Sequence, residues 1–290
     1  MRLVAGIDVA AARPCTCVLL ADSVVQDWLD TRDVDELVSW LVDRWPEVIA
    51  IDAPCGLSKG LLVGATTDRG PYKGRVCDRE LRRRGIPLYE VPDTREAAPG
   101  WMKVGFRIYD ALQEAGYRLP KKTAMVSSMI EVYPHASFVT LIGGTPAKKS
   151  AAAGQTQRLE VLERHGLRSP DRMDHDSLDA LVAALTALKF LEGQASAVGD
   201  SEEALVWLPV EQVADVYSPI PASSRPPQLD ELQYLDSRLS PEQREELLQC
   251  LLIAAPRGGE AMIRVLEEML LCHATEELLG GPVEADEAGL

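Results

Sequence analysis

Three acids in this sequence share one syntax, an apolar run closed by a single carboxylate. Asp8 follows Leu3-Val4-Ala5-Gly6-Ile7, Asp52 follows Val48-Ile49-Ala50-Ile51, and Glu131 follows Met129-Ile130. Two more, Asp176 and Asp179, open the run Asp174-His175-Asp176-Ser177-Leu178-Asp179-Ala180-Leu181-Val182-Ala183-Ala184-Leu185. A short apolar run reads as a strand, and an acid at its end stands at the mouth of a sheet, where loops build sites. One buried carboxylate is costly, and several together repel. A divalent cation offsets both effects. Magnesium or manganese prefers oxygen ligands and keeps several waters, so a few carboxylates suffice. Asp176 and Asp179 share a helical face. Ala183, one turn on, allows that helix to approach the sheet closely. Each acid alone has an ordinary use as a turn former or helix cap. It is their order on these elements that points to a metal site.

The elements that must position these acids follow from the apolar pattern. Residues 3–9, 15–20 and 23–29 are three short strands, with Asp22-Ser23 as a tight turn, and together form an antiparallel meander. Asp33 opens a helix carrying Val34, Leu37, Val38, Leu41 and Val42 at helical spacing, and Pro46 closes it. Residues 48–52 are fully apolar before the acid, which predicts a central strand covered on both faces. Glycines at 60, 64, 70 and 74 mark loop. Helices are expected at 75–84, 101–115, 155–165 and 174–191, and strands at 125–132 and 205–208.

Ser218 to Gln228 is rich in proline and reads as a linker. The expected organisation is a main domain over residues 1–217, a linker over 218–228 and an acidic helical region over 229–290. That last region begins its first helix at Ser240-Pro241-Glu242-Gln243.

Composition limits the partners. In 290 residues, 46% are hydrophobic and 26% charged, a globular balance that excludes disorder of the whole chain. The net charge of −15 opposes a diffuse grip on duplex nucleic acid. From Arg225 onward 14 acidic residues face 5 basic ones, whereas the earlier part holds 25 basic and 31 acidic. The main domain can therefore carry a local basic patch, and the acidic helices are a candidate surface for a protein partner. The first residues are too short an apolar run for a signal peptide, and no run is long enough to span a bilayer, so a soluble cytoplasmic protein without membrane partners is expected. Six scattered cysteines show no zinc-ligand spacing and read as small buried hydrophobes.

Several phrases resemble a known family in one order: Gly6-Ile7-Asp8-Val9-Ala10, Ala50-Ile51-Asp52-Ala53-Pro54, Arg75-Val76-Cys77-Asp78-Arg79-Glu80-Leu81-Arg82, Ile130-Glu131-Val132-Tyr133-Pro134-His135 and Asp176-Ser177-Leu178-Asp179-Ala180-Leu181. They are similar to the domain-of-unknown-function family numbered 429, described as predicted nucleases of the ribonuclease H-like superfamily. The resemblance runs from Arg2 to about Pro209. It implies an α/β fold, a ribonuclease H-like mixed sheet flanked by helices, to which the C-terminal region is a small helical appendage. It further implies that Asp8, Asp52, Glu131 and Asp179 are catalytic and hold one or two Mg2+ or Mn2+ ions, with Asp176 as the alternative helix ligand. The activity implied is metal-dependent hydrolysis of nucleic-acid phosphodiester bonds. In a two-metal mechanism the ions sit roughly 3.5–4 Å apart.

Arg75, Arg79 and Arg82 recur at helical spacing, and arginine forks match phosphate oxygens, so this helix is the candidate substrate grip. Asp78 and Glu80 dilute its charge. Lys148, Lys149 and Arg158 are further basic candidates, and His135 is read as structural. Two other functions compete. An actin-like phosphotransferase opens with a similar strand aspartate, but Val9-Ala10-Ala11-Ala12 lacks the glycines that let backbone amides approach phosphates. A non-enzymatic scaffold would use the acids for packing only.

Overall fold

In the computed structural model the described residues are 2–67, 70–121, 127–167, 172, 174–220 and 249. The chain divides into two units, Met1–Pro219 and Ile220–Leu290. The expected acidic helical region, and nearly all of the expected linker, lie outside the described residues.

The chain runs β1 (Leu3–Asp8), β2 (Cys15–Ala21), β3 (Val24–Thr31), α1 (Val34–Arg44), β4 (Val48–Asp52), β5 (Thr66–Thr67), β6 (Gly70–Pro71), α2 (Val76–Arg83), α3 (Gly100–Glu114), β7 (Ser128–Val132), α4 (Pro134–Ile142), α5 (Ala152–Arg164), α6 (His175–Leu191), β8 (Ser196–Asp200) and β9 (Ala204–Leu208). One seven-stranded sheet has the order β3-β2-β1-β4-β7-β9-β8, and β5 and β6 form a separate small pair. The β1–β2–β3 meander is antiparallel, with Asp22 at φ 52° in the turn. From β1 through β4 and β7 to β9 the sheet is parallel. The antiparallel β8 closes the far edge. An antiparallel opening meander, then parallel strands with helices packed against the sheet, is the ribonuclease H-like architecture.

Parity along the strands sorts the core into layers. Val4, Val48, Ala50 and Ile130 pack with α5 and α6. Ala5, Ile7, Ile49 and Ile51 point the other way, onto α1 and α3. Helix α6 is buried along nearly all of its length, as its alanine- and leucine-rich sequence requires. Its approach to β1 is close enough that a Cβ on Gly6 would lie 2.2 Å from the Ala180 carbonyl oxygen and 2.3 Å from the Ala184 nitrogen. The close approach expected from small residues is present, but Ala180 and Ala184 face the sheet at Gly6, rather than Ala183.

Besides the two-residue strands β5 and β6, which fall where glycines mark loop, two elements were not legible. Helix α4 starts on Pro134 at its first turn and holds the β-branched Val139, Thr140 and Ile142, so its composition reads against a helix. Strand β8 is Ser-Ala-Val-Gly-Asp, too small and polar to signal a strand until it pairs with β9.

A candidate metal centre with a cationic lining

Asp8 and Asp52 are register partners at the ends of the neighbouring parallel strands β1 and β4. Paired residues point to the same face, and Gly6 and Ala50, two residues before them, lie on the α6 face. Both carboxylates therefore turn toward the start of α6. That helix is capped by Asp174, whose side chain accepts from the backbone N–H groups of Asp176 and Ser177. Its first turns present Asp176 and Asp179. Asp8, Asp52 and Asp179 all line one open cleft of about 640 Å³.

Glu131 does not join them. It is the register partner of Ile51, not of Asp52. This one-residue offset puts its side chain on the opposite face of the sheet, where it is buried at 4% exposure. There Arg75 Nη2 donates to Glu131 Oε1 at 2.6 Å, Arg75 Nη1 donates to Oε2 at 2.8 Å, and the Cys55 backbone N–H donates to Oε2 at 2.8 Å. Arg75 also donates to Asp78 Oδ1 at 2.9 Å. Glu131, expected as a fourth ligand, is engaged in a buried ion network, Glu131–Arg75–Asp78, and lines with Asp52 a small recess beside the cleft rather than the cleft itself.

The substrate grip expected of Arg75, Arg79 and Arg82 needs the same correction. Arg75 is 1% exposed and fully committed to carboxylates. Arg82 is paired with Glu90 at 2.9 Å and also donates to the Leu88 carbonyl. Helix α2 packs on β8 and β9 through Cys77 and Leu81, and none of the three arginines lines the acidic cleft. The spacing was helix geometry; of the two carboxylates that hold Arg75, Asp78 is three residues on and Glu131 comes from distant chain.

Other cations line the cleft. Arg13, in the β1–β2 loop, donates to Asp8 Oδ2 at 2.7 Å and lies 2.8 Å from Asp176 Oδ1. Lys149 donates to Asp179 Oδ2 at 2.9 Å, and Lys148 stands beside it. The Lys149 loop is held down firmly. Arg158, 4% exposed, donates to the carbonyls of Ala147 and Gly154, and Gln157 accepts from the Ala147 N–H. Arg158 is therefore a positioning residue. Arg13 was not singled out from sequence, because a lone arginine in a short loop carries no pattern.

The electrostatics agree with a site that repels itself. Burial and the charge of Asp179 push Asp8 up to about 7, with Arg13 pulling partly back. Burial, then Asp8 and Asp179, push Asp52 well above the usual carboxylate range. Burial raises Asp179 as well, while Lys149 and Arg158 oppose the rise. Burial, the largest single cause, would lower Lys149, but the charge and hydrogen bond of Asp179 together with the charges of Asp8 and Asp52 outweigh it and the net shift is upward. Burial, Arg158 and Lys149 lower His135, also in the cleft, to about 4, so its imidazole is neutral at pH 7. The donor set is hard oxygen and suits a magnesium- or manganese-sized cation. Among the described residues no three His, Cys, Asp or Glu side chains already stand together as a metal cluster. Arg13 and Lys149 supply the positive charge instead. The four described cysteines are unpaired thiols, and burial raises all four.

No helix among the described residues is long and apolar enough to cross a membrane. A search of curated proteins finds none that matches the chain. Among solved structures, one titled "Thermus thermophilus RuvC structure" is similar, at 18% identity and a TM-score of 0.34, covering 66% of this chain and 96% of that one. The family described as "Protein of unknown function (DUF429)" matches residues 6–204, most of the chain, and the protein belongs to that family.

Proposed function

We propose that this protein is a divalent-metal-dependent phosphodiesterase acting on nucleic acid. The observation that carries this reading is the shared cleft of Asp8, Asp52 and Asp179, which turn into one space from two strands and a helix. These three would hold the ion, and Asp176 lies near enough to Arg13 to join them if that arginine moves. When bound there, magnesium or manganese would supply Lewis-acid activation of water and charge neutralisation at phosphorus. The chain's own residues do the rest. Arg13, Lys148 and Lys149 place positive charge at the rim, where a phosphate backbone would rest. Gly6 lets α6 bring Asp179 up to the strand ends. The Glu131–Arg75–Asp78 network fixes the loop after β4 through the Cys55 N–H. His135 stays neutral and does not compete for the anion.

The test is cleavage of labelled DNA and RNA with magnesium or manganese. Asp8→Asn and Asp52→Asn should each lose turnover while the protein remains folded, because each removes a ligand charge with almost no change of volume. Absence of metal-dependent cleavage in wild type would leave a second reading, a non-catalytic scaffold. One observation favours that alternative: Arg13 pairs with Asp8 and Lys149 with Asp179, so the chain itself supplies counter-charges to two of the acids.

A further inference from the structure

The cleft has an aromatic part that the phosphodiesterase reading does not use. Tyr89, Trp101 and Tyr133 all line it. They also line a smaller adjoining recess with Asp52 and the buried Glu131–Arg75–Asp78 network, without Arg13 or Lys149. The aromatics thus gather at the Asp52 end, while the cations pair with Asp8, Asp176 and Asp179. The chain has only 5 Trp, 7 Tyr and 3 Phe in 290 residues, so three aromatics at one rim are a concentration.

Their exposure is not what packing produces. Tyr89 is 71% exposed, although it stands 5.9 Å from Trp101, ring centre to ring centre. Nor is its loop loose. Tyr133 donates its hydroxyl to the Pro87 carbonyl at 2.9 Å, Arg82 donates to the Leu88 carbonyl at 2.9 Å, and the Val91 N–H donates to Asp78 at 3.3 Å. A large ring is therefore held out at the mouth of the site by bonds on both sides of it. Trp101 is half-buried at the start of α3 and offers a partly open face beside it.

We propose that Tyr89 and Trp101 stack an unpaired nucleobase, which makes the substrate a single-stranded or locally unpaired nucleic acid. This rests on the phosphodiesterase reading and adds its substrate class. Acids, cations and aromatics in one cleft match the three parts of a nucleotide at its scissile bond: the ion site, the phosphate and the base. A duplex hides its base faces in the stack, so only an unpaired base can use an aromatic platform. A cleft of about 640 Å³ is on the scale of a small-molecule site, sized for a nucleotide or so.

The experiment uses the full chain, with calcium in place of magnesium to hold back cleavage. The probe is a single strand of about 12 nucleotides carrying one 2-aminopurine, compared with its blunt duplex and with an abasic version. The expected result is binding of the single strand at least about tenfold tighter than the duplex, with 2-aminopurine quenching. Tyr89→Ala, a surface change that leaves the core intact, should lose about tenfold in affinity together with the quenching. Trp101→Ala should do the same, and Trp101→Phe should restore most of it. Equal affinity for single strand and duplex, or for the intact and abasic strands, overturns the proposal. So does a folded Tyr89→Ala that binds and quenches like wild type, and in that case the phosphodiesterase reading stands. If wild type binds no probe at all, both fall together.

Discussion

At the residue scale, the meeting of Asp8, Asp52 and Asp179 in one cleft was legible because the first two end apolar runs and the third opens a long apolar one. Glu131 shows where such reading stops. Its syntax matches that of Asp52, but strand register is set by tertiary pairing, and a one-residue offset reverses the face. The consequence is testable. Glu131 is one partner of a buried pair, so Glu131→Gln leaves Arg75 undercompensated and should lower unfolding stability by about 3 kcal/mol in urea titrations. A metal ligand behaves otherwise, since its loss weakens ion binding and leaves the metal-free fold stable. His135 gives a pH signature. Its pKa of about 4 lies below the ordinary 6.5, because of burial and the charges of Arg158 and Lys149. Between these values the unfolded chain takes up a proton that the folded chain refuses. This contribution to stability is complete above about pH 6.5 and is lost as pH falls toward 4. Asp8, raised to about 7, acts in the opposite sense over part of that range. The comparison is therefore His135→Gln against wild type, and the variant should lose less stability between pH 6.5 and 4. Identical slopes would contradict the assignment.

At the element scale, the strands β1 to β4 and the long helices α1, α3 and α6 announced themselves by period and caps. Helix α4 and strand β8 did not, because their stability comes from what they pack against, not from local pattern. The contact between α6 and β1 is the hinge of the site's construction. With the helix backbone seated on Gly6, an added methyl has nowhere to go: its nearest neighbours are backbone atoms at 2.2 and 2.3 Å. Gly6→Ala should therefore force α6 away from the sheet, lowering stability by about 3 kcal/mol or more. It should also weaken divalent-ion binding, because Asp179 rides on that helix. Thermal unfolding and manganese titration of the same variant check both. A variant as stable as wild type would mean that α6 sits less tightly on β1 than described.

For the whole molecule, the ribonuclease H-like sheet was legible from the order of elements and from the family resemblance, and the placement of charge only in part. The helical spacing put the basic grip first on α2, whose Arg75 is buried against carboxylates, whereas the cleft takes its cations from Arg13, which carried no pattern, and from the further candidates Lys148, Lys149 and Arg158. The first unit ends at Pro219, next to Ser218, whose backbone carbonyl accepts from the Thr145 N–H at 2.9 Å. A chain ending at Ser224 should accordingly unfold in one cooperative transition, as followed by circular dichroism in denaturant. An insoluble or non-cooperative product would place the later residues inside the same folding unit. The central claim is that Asp8, Asp52 and Asp179 form a divalent-ion site. Manganese binding, read by the loss of the free-ion signal in electron paramagnetic resonance, tests it most directly. Wild type should bind the ion, and Asp8→Asn and Asp179→Asn should each lose at least about tenfold in affinity at unchanged fold, while His135→Gln binds as wild type does. Equal binding by wild type and both aspartate variants, or no binding by wild type, would contradict the account.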